Sequence, residues 1–212
     1  MATKALKTEG TPGKGASQSK GRKALVDATI EAIYRHGLCG TSVGTITKLA
    51  GLSRAMVSYH FESKNEMLVA AYETLYEEWS GYFDQKRSDD PRENVILQAV
   101  SQFAFPIFDP KKFSAWVAFS IAAQRDEALR RTNQKAYAGW RASLIRSLEH
   151  YQRDTGNQVD VEDIATTVLC MSDGLWLQLM LDPENMTPER ASRLCASVLE
   201  ARFFEAESRA MK

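Results

Sequence analysis

Residues 41–64 have the sequence TSVGTITKLAGLSRAMVSYHFESK, and this stretch decides the fold of the first part of the chain. Two short helices are predicted here, over Val43–Ala50 and from Ser53 to about Phe61. Hydroxyl side chains at their starts can cap them, and Gly51 between them favours a tight turn. Two short helices joined by such a turn are typical of a helix-turn-helix, whose second helix enters the major groove of DNA.

The side chains of this stretch divide into an apolar set and a polar set. The apolar set is predicted to face inward: Ile46, Leu49, Ala50, Leu52, Val57 and Phe61. Arg54, at the start of the second helix, can donate to guanine or to phosphate. Hydroxyl groups suited to phosphate oxygens are those of Thr41, Ser42, Ser53, Ser58 and Tyr59. The alternative is an ordinary helical hairpin with exposed polar residues.

Helical patterns continue on both sides of this stretch. A helix from Lys20 to about Gly37 is predicted before it, and Ser63 with Glu66 forms a capping box for a helix from Lys64 to about Gln85. The N-terminus of that helix and the Lys64 ammonium can bind a phosphate. Further helices are predicted at about 92–104, 110–124, 126–154, 161–181 and 188–208. No segment alternates like a strand, so the fold class is all-α with about nine helices.

Composition favours a soluble globular protein, with 44% hydrophobic and 25% charged residues in a chain of 212. No uninterrupted apolar stretch reaches the roughly 20 residues that span a bilayer, so no membrane partner is expected. Three scattered cysteines favour a reducing, cytoplasmic location. Formal net charge is zero, yet residues 1–70 carry ten basic against five acidic side chains, with the excess in the first 23. That basic tail is expected to be a solvated arm, with a DNA-contacting arm as the alternative.

Catalytic and metal-binding motifs are not found in the sequence. None of the three histidines (His36, His60 and His150) has a Ser or Cys partner at a recognised spacing, and no nucleotide-binding loop or zinc motif occurs. We therefore expect no enzyme activity, no cofactor and no metal site. An all-α enzyme remains the alternative in that class, and loss of activity on mutating His150 or Cys39 would identify it.

The helix-turn-helix region resembles the tetracycline-repressor (TetR) family of bacterial transcription regulators. The resemblance rests on Gly37, Thr41, the run ITKLAGLS at 46–53 and the run YHFESKNE at 59–66. It implies a three-helix DNA-binding head followed by a helical ligand-binding and dimerising body. The DNA-contact positions it implies are Thr41, Arg54, Ala55, Met56, Ser58, Tyr59, His60 and Lys64. Two positions depart from the family, which usually has Ala at Thr47 and Tyr at Ser58.

The body is similar to the BetI-like subgroup, whose named member is a choline-responsive repressor of betaine synthesis. The supporting runs are AWVAF at 115–119 and DGLWL at 173–177. The subgroup implies a small-molecule effector, for which a quaternary ammonium compound is one candidate. Aromatic faces attract such cations.

The ligand cavity that the family implies has eight candidate lining residues: Phe103, Trp116, Phe119, Tyr137, Trp140, Met171, Asp173 and Trp176. For each aromatic taken singly, ordinary core packing is the alternative. Asp173 lies in an otherwise apolar helix, where it is either the counter-ion of a cationic ligand or the partner of a group on a neighbouring helix.

We therefore expect a disordered basic tail at 1–19, a helix-turn-helix domain at 20–66, and a ligand-binding and dimerisation domain at 67–212. Helices 161–181 and 188–208 are apolar enough to form the homodimer face. The expected function is a cytoplasmic, ligand-responsive regulator of transcription, a repressor that a small molecule releases from double-stranded operator DNA. The alternative is a helical binding or interaction protein whose head does not read DNA.

Overall fold

The computed structural model describes residues 14–83, 85, 87–104 and 107–201. Within these residues it confirms the all-α prediction, with nine α-helices, one 3₁₀ turn and no strand. The helices are α1 (Lys14–Gly40), α2 (Val43–Ala50), α3 (Arg54–His60), α4 (Lys64–Phe83), α5 (Pro91–Val100), α6 (Pro110–Ala122), α7 (Glu127–Thr155), α8 (Val161–Leu181) and α9 (Pro188–Leu199), with the 3₁₀ turn Ser101–Phe103 after α5.

The first helix begins earlier than predicted, at Lys14 instead of Lys20. The last residues of the predicted disordered tail are therefore helical, and residues 1–13 lie outside the described part. Gly37, where the helix was expected to end, has a non-helical backbone with φ 64° and ψ 175°. Glycine adopts this conformation without a steric penalty, so the chain kinks there and adds one more turn before Thr41.

The turn between α2 and α3 has the caps that the sequence predicts. Ser42 Oγ accepts a hydrogen bond from the Thr45 N–H at 3.1 Å, and Ser53 Oγ accepts one from the Met56 N–H at 3.4 Å. Gly51 ends α2 in the left-handed conformation, with φ 64° and ψ 29°. A side chain is strained in that conformation, so Gly51 fixes the geometry of the motif.

Replacing Gly51 by alanine is expected to destabilise the helix-turn-helix. A non-glycine residue in the left-handed region costs about 1–2 kcal/mol. Gly44→Ala is the matched control, because its added Cβ would lie 3.7 Å from its nearest neighbours inside regular α2, where alanine gains about 0.5–1 kcal/mol. Urea unfolding followed by circular dichroism measures both changes. Equal stability of the two variants would contradict a structural role for the Gly51 conformation.

The chain divides into two compact units, Met1–Leu68 and Val69–Lys212. In the first unit, Ile46, Val57 and Phe61 are buried as predicted. Leu49, Ala50 and Leu52, predicted to face inward with them, are only half-buried. The core of this unit also contains Leu25, Val26, Ile33 and Met67.

The second unit is a helical body whose helices have strong start signals. Asp90–Pro91, Asp109–Pro110 and Thr187–Pro188 each place a capping oxygen before a proline, which suits the first turn of a helix. Predicted and observed bounds differ by a few residues: α4 ends at Phe83 instead of Gln85. The helix predicted at 188–208 is described as α9 only to Leu199.

Helix α8 contributes much of the core of this body. Its buried side chains include Ile164, Val168 and Leu175, which pack in one continuous apolar cluster with the other helices. Among the described helices, α8 is the one long and apolar enough to cross a membrane by length and composition alone, a test that buried core helices also pass.

Candidate functional site

The recognition helix α3 presents a polar, exposed surface. Arg54, Ala55, Ser58 and Tyr59 are all exposed, and 60% of the Tyr59 surface is accessible. Ser42 and Ser53, which cap α2 and α3, are exposed as well. These six exposed residues all belong to the predicted DNA contacts, and we call them the reading surface.

Two predicted DNA-contact residues of the first unit carry a positive charge, Arg54 within the reading surface and Lys64 at the start of α4. The Arg54 guanidinium lies close to Gly44 in α2, since a Cβ added at Gly44 would be 3.7 Å from its Nη2. Lys64 is half-buried at the N-terminus of α4. Its helix is capped by Ser63, whose Oγ accepts a hydrogen bond from the Glu66 N–H at 3.1 Å. The Lys64 ammonium and the free backbone amides lie together at the start of α4, where they are suited to bind a phosphate.

The structure places three predicted DNA-contact residues in packed positions. Thr41 is 1% exposed and donates its hydroxyl to the Gly37 carbonyl at 2.8 Å. The Nε2 atom of His60 is buried against α1, 2.8 Å from where a Cβ at Gly21 would lie, and has no partner among the described residues. Met56 is half-buried beside the same glycine. Their side chains hold the motif together. Sequence spacing alone does not distinguish residues with this packing role from residues that contact DNA.

The body contains a small aromatic pocket, which we call the inner pocket. It is a cavity of about 20 Å³ between α4, α6 and α7. A cavity of this size holds about one water molecule. Its lining residues are Tyr72, Tyr76, Trp79, Trp116, Ala136, Tyr137 and Trp140.

All four tryptophans of the chain meet at this pocket. The ring of Trp176 in α8 is 5.0 Å from that of Trp79, 6.1 Å from that of Trp116 and 6.3 Å from that of Trp140, between centroids. The indole N–H groups of Trp79 and Trp176 are buried and have no acceptor among the described residues. Such donors are costly to leave unpaired, so they are available to an acceptor that enters the site.

A half-buried carboxylate lies behind the aromatic wall. Asp173 in α8 accepts a hydrogen bond from the Tyr137 hydroxyl at 2.8 Å. Burial raises the pKa of this carboxyl group to about 6, against a smaller opposing effect of the Tyr137 hydrogen bond. The pKa of Tyr137 is raised as well, by burial first and by the Asp173 charge second. A cation near Asp173 would stabilise its charged form.

The Tyr72 hydroxyl provides a second polar group at the pocket. It bonds to the Asn133 side chain and lies 3.2 Å from Ser120 Oγ. Burial raises the pKa of Tyr72 to about 12, so this hydroxyl is protonated at neutral pH. The lining of the pocket is therefore aromatic, with the Asp173 carboxylate behind Tyr137.

The predicted ligand residues fall into three groups. Trp116, Tyr137 and Trp140 line the inner pocket, and Trp176 and Asp173 lie directly behind its wall. The other three lie in the surrounding core, and their contact with a ligand stays a prediction: Phe103 and Phe119 are fully buried, with Phe119 stacked on Tyr72, and Met171 packs on the apolar cluster.

Sequence reasoning missed the wall that α4 contributes. Tyr72, Tyr76 and Trp79 are four and three residues apart, so they share one face of the helix. This spacing is the available signal in the sequence, but it does not distinguish the wall of a cavity from an ordinary apolar face. The hydroxyl of Tyr76 lies against Gly139 in α7, where an added Cβ would be 1.8 Å from it. Only glycine leaves room for Tyr76 in this position.

Helix α8 also has an exposed apolar stripe on its outer side. Leu177 and Leu181 are 42% and 71% exposed, and Leu194 of α9 is 41% exposed. Cys170 and Gly174 precede them at helical spacing and are exposed too.

Among the described residues, no group of His, Cys, Asp and Glu side chains is arranged to hold a metal ion.

Residues 25–71 match the family described as bacterial regulatory proteins, tetR family. Residues 91–203 match the C-terminal domain of the BetI-type transcriptional repressor. The chain is 30% identical to the HTH-type transcriptional regulator BetI of Rhizobium meliloti (strain 1021), over 85% of this chain and 88% of that protein. It is 26% identical to BetI 1 of Chromohalobacter salexigens, over 89% of this chain and 93% of the relative.

Solved structures show the same fold. A putative transcriptional regulator from Pseudomonas aeruginosa PAO1 has a TM-score of 0.78 at 27% identity, covering 89% of this chain and 92% of that one. A putative transcriptional regulator from Saccharomonospora viridis, solved in complex with choline, has a TM-score of 0.74 at 20% identity. The match covers 87% of this chain and 97% of that one. With both halves matched to family descriptions and a curated relative covered over most of its length, the chain belongs to the TetR family of bacterial transcription regulators, with a C-terminal domain of the BetI type.

Proposed function

We propose that this protein is a cytoplasmic homodimeric repressor that a quaternary ammonium compound releases from its operator. The chain is a ligand-responsive, DNA-binding transcription regulator and not an enzyme. Regulators of this family bind operator DNA, act as dimers and bind small-molecule effectors. The observation that carries the proposal is the inner pocket, with its aromatic walls and the half-buried Asp173 carboxylate behind Tyr137.

The DNA contacts proposed are those of the reading surface together with Lys64. Their exposure on α2 and α3 supports the assignment, because a recognition helix must present its side chains to base edges. Arg54 is the residue with the donor geometry for guanine, and the exposed hydroxyls suit phosphates. The domain bounds that go with this proposal are a head at about 20–66 and a body at about 67–212.

Arg54→Ala is expected to weaken operator binding tenfold to a hundredfold, because a base-contacting arginine contributes about 1–3 kcal/mol. Fluorescence anisotropy with DNA from upstream of the protein's own gene measures it, with unrelated DNA for comparison. Arg35→Ala is the matched control, since Arg35 is exposed in the same unit and pairs with Glu31 in α1. Equal losses of operator affinity in both variants would mean that the affinity depends only on the general positive charge of the protein and not on a base contact of Arg54.

Three features support a quaternary ammonium effector. Cation–π contacts contribute about 0.5–2 kcal/mol each, and the inner pocket offers several aromatic faces at once. Asp173 supplies a negative charge in surroundings where it is weakly screened. The structurally similar regulator from Saccharomonospora viridis was solved with choline, which is a ligand of this class.

The size of the inner pocket supports a switching mechanism. A cavity of about 20 Å³ is too small for a trimethylammonium group, so binding requires that its walls separate. One wall is formed by Tyr72, Tyr76 and Trp79 of α4, and α4 is continuous from Lys64. An effector that favours the widened pocket therefore shifts the population of α4 positions. By linkage, operator DNA must weaken effector binding by the same factor.

The test is release of protein from fluorescent operator DNA by three added compounds. Choline and tetramethylammonium are expected to lower DNA affinity, whereas 3,3-dimethylbutanol is expected to have no effect. This alcohol has the shape of choline with a neutral tert-butyl group in place of the cation. Release by all three would indicate an apolar pocket without charge recognition, and release by none would contradict the proposed effector class.

A further inference from the structure

Three cavities follow one another along α4 and α7. The inner pocket shares Tyr76, Trp79 and Trp140 with a middle cavity of about 260 Å³. The middle cavity shares Phe83, Ser143 and Arg146 with an outer cleft of about 210 Å³. Because neighbouring cavities share side chains in their walls, the three lie in one row, which we call the groove.

The chemical character of the groove changes along its length. The inner pocket is aromatic, with the Asp173 carboxylate behind Tyr137. The middle cavity keeps aromatic walls but adds the hydroxyls of Ser80 and Ser143. The outer cleft is lined mainly by polar and basic side chains, namely Gln85, Asn94, Gln98, Ser143, Arg146, Ser147 and His150.

The outer end contains a polar atom without an internal partner. Gln98 is 2% exposed, and its Nε2 donates to the Phe83 carbonyl at 2.7 Å and to Ser143 Oγ at 2.8 Å. Its Oε1 has no donor among the described residues. A buried acceptor at a cavity wall is a position for a bound water or a ligand donor.

Groups of opposite charge lie toward the two ends of the groove. The Asp173 carboxylate lies behind Tyr137, which lines the inner pocket, and Arg146 lines both the middle cavity and the outer cleft. Tyr137 and Arg146 are nine residues apart on α7, which is about 14 Å at the helical rise of 1.5 Å per residue. An arginine has five N–H donors, so a bond to one neighbour within the chain leaves others for a carboxylate.

From this arrangement we infer that the groove binds an elongated zwitterion, a trimethylammonium group joined by an alkyl chain to a carboxylate. The cationic head occupies the inner pocket, the alkyl chain lies along the aromatic walls of the middle cavity, and the carboxylate bonds to Arg146. The placement of the head rests on the proposed function. The placement of the tail rests on the continuity and charge of the groove.

Calorimetric titration of the full-length protein tests the inference with two series of compounds. The first series is ω-trimethylammonio carboxylates with increasing numbers of methylene groups. The second is alkyltrimethylammonium ions of the same lengths, which lack the carboxylate. In the wild type we expect the longer carboxylates to bind at least tenfold more tightly than alkyl ions of equal length. The shortest members should show no such difference, because their carboxylate does not reach Arg146.

Variants at Arg146 distinguish a role of its charge in binding the carboxylate from a role in the structure of the groove. Arg146→Gln is expected to remove the advantage of the carboxylate series while leaving the alkyl series unchanged, and Arg146→Lys is expected to restore part of it. Arg141→Gln is the matched control, because Arg141 is exposed on the same helix and lies 3.9 Å from Glu162, away from the groove.

The titrations distinguish failure of the zwitterion inference from failure of the proposed effector class. If the alkyl ions bind but the carboxylate gives no advantage, or if Arg146→Gln leaves that advantage intact, the zwitterion inference is wrong and the proposed effector class stands. If no quaternary ammonium compound of either series binds, both are wrong. If fatty carboxylates without a cationic head bind as tightly as the zwitterions, the groove is a site for anions, which also overturns the inference.

Discussion

Replacing Leu177 and Leu181 together by glutamate is expected to convert the dimer into monomers and to lower operator affinity by several orders of magnitude. Both leucines are exposed on the outer side of α8, next to the exposed Leu194 of α9. A large apolar stripe of this kind is the usual surface of a twofold interface. Placing two charges on each copy would bury four carboxylates without partners. Because helix-turn-helix dimers bind two half-sites at once, a monomer loses most of its affinity.

Analytical ultracentrifugation measures the oligomeric state, and anisotropy measures operator binding on the same samples. Ile121→Glu is the matched control, since Ile121 is also a strongly exposed aliphatic residue of the body, at 62%, and lies on α6. That variant is expected to remain dimeric. A double variant that stays dimeric, or an Ile121 variant that dissociates, would contradict the assignment of the interface to α8 and α9.

Asp173→Asn is expected to abolish the response to choline and, at the same time, to stabilise the folded protein at neutral pH. The asparagine is close in shape and can still accept the hydrogen bond of Tyr137, but it has no charge for a cationic ligand. At pH 7.5 the dissociation constant for choline should rise at least tenfold. The measurements are calorimetric titration for affinity and denaturant unfolding for stability.

The direction of the stability change follows from the Asp173 pKa. Burial raises this pKa from 3.8 to about 6, so the folded state holds the proton more tightly than the unfolded state. Stability from this group is therefore present below about pH 4, falls as the pH rises toward 6, and is lost above it. At 1.36 kcal/mol per pKa unit, the ionised carboxylate destabilises the fold by on the order of 2–3 kcal/mol at neutral pH. Asparagine removes this penalty, and the two proteins should be equally stable near pH 4.

Choline binding by the wild type has its own pH dependence. Affinity should fall as the pH drops below about 6, because Asp173 then becomes neutral. Asp163→Asn serves as the control, since Asp163 is an exposed acid in the first turn of the same helix. If Asp173→Asn lowers stability at neutral pH while choline affinity is unchanged, Asp173 is a structural partner of Tyr137 and not a ligand counter-ion.

The helix-turn-helix could be predicted from sequence because its determinants are local. Ser42 and Ser53 form their capping bonds with residues three positions ahead, and Gly51 determines the backbone at its own position. Interactions over so few residues leave a pattern that spacing reveals. The bounds of α2 and α8 were predicted to the residue for the same reason.

The pocket could be predicted only in part because it depends on distances between helices. Trp79 and Phe103 are both aromatic, helical and at least nine-tenths buried, yet Trp79 lines two of the three cavities described above and Phe103 lines none of them. Helical periodicity indicates which face is apolar, but it does not indicate how far away the opposite helix lies. The space between α4 and α7 depends on contacts made elsewhere in the body, so no spacing rule reveals it.

Because all four tryptophans meet at the inner pocket, the intrinsic fluorescence of the protein reports on this region. None lies in the first unit, so intrinsic indole fluorescence originates entirely in the second unit. The buried N–H groups of Trp79 and Trp176 have no acceptor among the described residues. We expect a ligand that supplies an acceptor to change their emission. A change in this emission on adding operator DNA, which carries no effector, would be a direct signal of communication from the head to the pocket.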